Sequence, residues 1–123
     1  MAAVRGRDTA PELLVRSRLH RMGLRFRLHD TNLPGSPDIV LRRHNTVVLV
    51  HGCFWHGHDC PRGRAPSTRQ EFWLPKLTRN RERDQRQIDS LRALGWRVLV
   101  VWECETKEKT SLDRRLRRWF RPS

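Results

Sequence analysis

The segment Cys53-Phe54-Trp55-His56-Gly57-His58-Asp59-Cys60 constrains this chain more than any other, because two thiols and two imidazoles fall within eight positions. The third cysteine, Cys104, lies just beyond an apolar run that ends at Trp102. Three cysteines cannot all pair in disulfides, and Met1-Ala2-Ala3-Val4-Arg5 does not lead into a signal peptide, so metal binding is the leading explanation. Zinc takes tetrahedral Cys and His ligands, and a local cluster closed by one distant ligand ties a long loop to a sheet. Spacing leaves open whether His56 or His58 supplies the fourth ligand. The plainer alternative, Cys53 and Cys104 as small buried hydrophobes, does not explain why all three cysteines gather around the histidine-rich segment. Three Cys and one His would close the coordination sphere and make the site structural, so any chemistry must come from elsewhere.

A chain of 123 residues has room for one core, and at this size a metal staple is useful. The expected organisation is a short basic arm over residues 1–8 and a single domain over 9–123. Net charge is +13, and only Lys76, Lys107 and Lys109 of the 26 Lys and Arg residues are lysine, leaving 23 arginines. Such a surface calls for a polyanion, and arginine grips phosphate and guanine edges bidentately. No apolar run approaches the roughly 18 residues of a membrane span. The chain is therefore expected to be cytoplasmic.

Thr9-Ala10-Pro11-Glu12 combines an N-cap, a first-turn proline and an N3 acid ahead of Val15, Leu19 and Met22, predicting a helix from Pro11 to Met22 that stops at Gly23. Phe26 and Leu28 alternate with Arg and His, as in a strand, and Asn32 to Pro37 is a turn cluster. Ile39-Val40-Leu41 and Val47-Val48-Leu49-Val50, with the polar Arg42-Arg43-His44-Asn45 between them, read as a central hairpin. The stretch from His51 to Pro66 reads as loop. A second helix is expected over roughly Arg79 to Leu94, with Ile88, Leu91 and Leu94 buried and Gly95 after it. Arg97 to Trp102 reads as a buried strand, with Trp96 and Trp102 packed in the core, and Leu112, Leu116 and Trp119 mark a basic helix. The order α-β-β-β-α-β-α predicts an α/β fold, a mixed sheet with helices on its faces.

Acids are scarce here and invite a question. Asp38 opens one strand of the hairpin and His51 closes the other, so a carboxylate and neighbouring groups can meet at one magnesium ion, which favours carboxylates, carbonyls, waters and phosphate. Against this, Asp38 reads equally as a turn acid, Glu12 as part of a capping box, and Asp84 as the partner of Arg81 or Arg83 on a solvated helix face.

The motifs Leu33-Pro34-Gly35-Ser36-Pro37-Asp38, His51-Gly52-Cys53-Phe54-Trp55-His56 with His58 and Cys60, Glu71-Phe72-Trp73-Leu74, Asn80, Arg83-Asp84, and Gly95-Trp96-Arg97-Val98-Leu99 through Trp102-Glu103-Cys104 closely resemble those of the very-short-patch mismatch repair endonucleases. The similarity spans about residues 9–120. The resemblance implies a restriction-endonuclease-like mixed sheet flanked by helices, with a structural zinc site, and an enzyme that nicks duplex DNA 5′ to the thymine of a T:G mismatch. It implies that Asp38 and the Val50 backbone carbonyl bind Mg2+ and that Cys53, His58, Cys60 and Cys104 bind Zn2+, which frees His56. His56 paired with Asp84 would activate water, His51 would stabilise the phosphate or protonate the leaving oxygen, and Glu12 would stand near the catalytic metal. Phe54, Trp55 and Trp73 match an aromatic wedge inserted beside the mismatch. Monomeric action, a link to a cytosine-5 DNA methyltransferase and other repair proteins, and a nucleoid-associated, prokaryotic-type setting follow from the same resemblance. Two other readings stand beside it: a non-catalytic zinc-stabilised binder of mismatched or bent DNA, and a restriction- or homing-type nuclease on the same fold.

Overall fold

The computed structural model describes residues 9–54, 58, 60 and 68–121. The basic arm over 1–8 lies outside them. Helix α1 runs Ala10–Arg21; Thr9 caps it, its hydroxyl accepting from the Glu12 N–H at 3.4 Å. Its end is a left-handed glycine turn: Gly23 (φ +79°) donates to the His20 carbonyl at 2.9 Å and Leu24 donates to the Leu19 carbonyl at 3.1 Å. The same closure ends α2, where Gly95 donates to Arg92 and Trp96 to Leu91.

Among the described residues, four strands form one mixed sheet in the order β1 (Arg27–Leu28), β2 (Ile39–Leu41), β3 (Thr46–His51), β4 (Arg97–Trp102). β1, β2 and β3 pair antiparallel in sequence, and β3 pairs parallel with β4, Val48 against Leu99 and His51 against Trp102. The hairpin and the two central strands match the expectation. Phe26 packs against the core but lies just before β1, which is only two residues long.

Strand periodicity sorts the apolar residues onto two faces. Ile39, Leu41, Val48, Leu99 and Val101 meet Val15 and Leu19 of α1 and Leu112 and Leu116 of α3 (Lys109–Trp119). Val47, Leu49 and Val98 meet Leu91 of α2 (Gln70–Ala93), with Ile88 and Trp96 alongside. The result is three layers, α1 with α3, the sheet, then α2.

Helix α2 corrects the expected boundary of Arg79 by starting nine residues earlier, at Gln70. No Ser, Thr, Asp or Asn marks its start, since the cap is the left-handed Arg69 (φ +57°). Pro75, at the sixth position of the helix, has no N–H to donate to the Glu71 carbonyl, so one bond of the ladder is forfeited. Leu94 is likewise corrected: it is the C-cap residue and 62% exposed, one step past the buried Leu91.

The buried and half-buried residues of α2 are Trp73, Leu77, Asn80, Asp84, Gln87, Ile88 and Leu91, a stripe at helical spacing that turns polar in its middle. Gln87 on this stripe donates to the Pro34 carbonyl at 3.1 Å, fastening α2 over the turn that leads into Asp38. Gly35 in that turn has φ +70°, and a Cβ there would stand 2.4 Å from the Gln87 side-chain nitrogen. Gly35→Ala is expected to cost about 1–2 kcal/mol, because it adds left-handed strain and pushes Gln87 off Pro34; urea unfolding of the variant checks this.

Candidate metal centres and active site

Among the described residues, two groups of side chains have the chemistry and convergence to hold a cation. The first is Cys53, His58, Cys60 and Cys104, whose ligand atoms all lie within 4.8 Å of one another. Cys53 follows β3, and Cys104 lies in the 3-10 turn Glu103–Lys107 that follows β4, so the parallel pair delivers both thiols to one end of the sheet. Trp102 donates its N–H to Glu105 at 2.8 Å, and Arg115 of α3 grips the same carboxylate, which fixes the turn bearing Cys104. The Cys104 N–H donates to Cys53 Sγ at 3.3 Å.

The donor set fits zinc. Tetrahedral ligands with Zn–S and Zn–N bonds near 2.3 and 2.05 Å stand about 3.6 Å apart, and Cys104 Sγ lies 3.6 Å from His58 Nδ1. All three cysteines are free thiols. Burial pushes the Cys53 thiol up to about 12 and raises that of Cys104, so a cation binding here must displace tightly held protons, as zinc does at thiolate sites.

The second group is Glu12, His29 and Asp38, also within 4.8 Å of one another. Asp38 directly precedes β2, and its Oδ2 accepts from the Val50 N–H of β3 at 2.8 Å, so the carboxylate is tied beside the Val50 backbone. Glu12 is 2% exposed, and Arg16 and His29 both converge on its Oε2, His29 Nε2 at 2.8 Å. The capping-box reading of Glu12 therefore holds for its backbone N–H, while its carboxylate belongs to this cluster. Sequence reading missed His29, which passed as a polar residue beside a strand. Its φ of +48° is left-handed, a strain of about 1–3 kcal/mol that tends to persist where the surroundings over-determine it.

His51, 5% exposed at the end of β3, lies edge-on to Trp102 at 5.2 Å between ring centroids. Trp102 stacks on His58 at 4.0 Å and 14°. The core assignment expected for Trp102 is thus corrected: it is half-buried between His51 and a thiol-cluster histidine, joining the two sites. Trp96 packs against Val47 and Leu91 as expected. Asp84 is half-buried on the polar stripe of α2, unlike its exposed neighbours Arg81 and Arg83, which places it on the face fastened over the Asp38 turn. Phe54 and Trp73 meet edge to face at 5.3 Å; Phe72, 41% exposed with Arg69 and Lys76 over its ring, extends the aromatic group. His56 and Trp55 lie outside the described residues.

A buried Glu12 and a half-buried Asp38 tied to the β3 backbone, in a chain of net charge +13, form a site of the kind that can hold a divalent cation for phosphodiester hydrolysis. The family model for DNA mismatch endonuclease Vsr matches residues 1–62. The type II nicking enzyme V.XorIIP of Xanthomonas oryzae pv. oryzae is 52% identical over 123 residues, covering 100% of this chain and 90% of that protein. The DNA mismatch endonuclease Vsr of Escherichia coli K12 is 47% identical over 125 residues, covering 98% and 80%. The type II nicking enzyme V.NmeAIP of Neisseria meningitidis is 46% identical over 121 residues, covering 98% and 86%. The chain belongs to the Vsr family of DNA mismatch endonucleases and is a nicking endonuclease whose substrate is DNA. No helix among the described residues is long and apolar enough to cross a membrane.

Proposed function

We propose that this endonuclease is Mg2+-dependent and cuts one strand of duplex DNA 5′ to the thymine of a T:G mismatch. The observation that carries the reading is the convergence of Glu12 and Asp38 beside the Val50 backbone, in a chain of this family. In this reading Asp38 and the Val50 carbonyl hold the magnesium ion, with Glu12 adjacent. An ion held there would supply charge neutralisation at the phosphoryl oxygens and a more acidic water. His51 hydrogen-bonds the scissile phosphate or protonates the leaving 3′ oxygen. His56, oriented by Asp84, accepts the proton of the attacking water.

Phe54, Trp55 and Trp73 form the wedge that enters the stack beside the mismatch. Unstacking a step costs a few kcal/mol, and a mismatched step resists least, so the cost itself selects the substrate. Zinc on Cys53, His58, Cys60 and Cys104 is structural: four protein ligands leave no open position for water. The fold is that of the restriction endonucleases, and the single endonuclease domain over 9–123 acts as a monomer on one strand. It works after a cytosine-5 methyltransferase, with other repair proteins and close to the nucleoid.

Strand-specific end labelling tests this reading. With Mg2+, one product end is expected on the thymine-bearing strand, immediately 5′ to the mismatched thymine, and none in EDTA. Cleavage of both strands, or cleavage in EDTA, would reject it.

A further inference from the structure

We infer that His29 is a positioning residue for the carboxylate pair, holding Glu12 in the orientation from which it supports a divalent cation at Asp38. The inference rests on the catalytic reading of Asp38 given above. His29 touches both acids: its Nε2 lies 2.8 Å from Glu12 Oε2, and its backbone N–H donates to the Asp38 carbonyl at 3.1 Å. It therefore ties α1 to the strand that carries Asp38, across 17 residues of sequence.

The histidine is itself held. Its side chain is 13% exposed. The next residue, Asp30, accepts from the Asn32 N–H at 2.9 Å and from Arg42 at 3.2 Å, which locks the turn in which His29 takes its left-handed conformation. With Nε2 donating to Glu12, the imidazole is the outer partner of a metal-facing carboxylate rather than a ligand. Outer partners of this kind orient the ligand and set its basicity, and their loss typically weakens metal binding 10–100-fold. Arg16 reaches the same Glu12 oxygen from within α1, so the two donors fix one carboxylate oxygen from two directions.

The test compares His29→Gln, whose amide can still donate to Glu12, with His29→Leu, which has similar bulk and no donor. Both replace histidine at the same left-handed position, so the backbone strain is matched. Binding of Mn2+ to zinc-loaded protein is followed by loss of the free-ion electron paramagnetic resonance signal, and the Mg2+ concentration giving half-maximal nicking of a T:G duplex is measured beside it. His29→Leu is expected to weaken Mn2+ binding and raise the half-activating Mg2+ about 10–100-fold, with the affinity for the duplex in EDTA unchanged and His29→Gln close to the parent. Equal behaviour of the two variants in both metal readouts, whether like the parent or impaired, would overturn the inference. If instead the parent nicks without added divalent cation, or Asp38→Ala leaves Mn2+ binding intact, the catalytic reading of Asp38 fails first.

Discussion

Asp38→Ala is expected to nick a T:G duplex at least about 10³-fold more slowly than the parent while binding that duplex with little loss of affinity. The magnitude follows from the proposed role of Asp38 as the carboxylate that would hold a cation worth several kcal/mol of transition-state charge stabilisation. Affinity is expected to survive because a chain of net charge +13 draws its DNA binding from phosphate contacts rather than from one half-buried acid. Asp38 also has a structural task, since its Oδ2 accepts the Val50 N–H at 2.8 Å. Asp38→Asn separates the two: an amide oxygen can keep that hydrogen bond but is a poor Mg2+ ligand. Single-turnover nicking and thermal melting of both variants are the measurements. The alanine protein should melt somewhat lower, the asparagine protein near the parent, and both should be inactive.

The second large effect concerns the thiol cluster. Cys104→Ser, or prolonged chelation of the parent protein, is expected to destabilise it by about 5 kcal/mol, lowering Tm by roughly 20 °C for a domain of this size. Cys53 and Cys104 lie just beyond the ends of the parallel strands β3 and β4, and a cation shared with His58 and Cys60 would link all four residues. Loss of such a cation would break those links together. Activity should fall as well, because Trp102 lies between His58 and His51 and transmits the loss to the end of β3. Differential scanning calorimetry with and without chelator, with zinc content measured on the same samples, checks the prediction. A chelated protein that keeps the parent Tm would show that the cluster carries no structural metal.

The sequence showed clearly those features whose cause is local. Gly23 and Gly95 stop their helices because the left-handed closing residue must be free of a Cβ penalty, and both make the expected paired bonds. The β-branched runs at 39–41 and 47–50 formed the hairpin, and the cysteine and histidine spacing foretold the thiol cluster. What escaped depends on contacts far apart in the chain. His29 meets Glu12 only because α1 folds back over the sheet, and its left-handed backbone has no signature in residue type. Trp102 looked like core because it ends an apolar strand, yet strand register sets it against His51. The start of α2 escaped because its cap, Arg69, makes no side-chain capping bond. Asp84 was ambiguous among arginines until the inward stripe of α2 separated it from Arg81 and Arg83.

The most direct single measurement is single-turnover cleavage, in Mg2+, of two end-labelled duplexes that differ only in one base, so that one carries T:G and the other T:A. The expected result is a nick in the thymine strand of the T:G duplex and no comparable cleavage of the paired one. Equal cleavage of both duplexes would point to a nuclease that does not read the mismatch, and binding of the T:G duplex without cleavage would contradict the catalytic site itself.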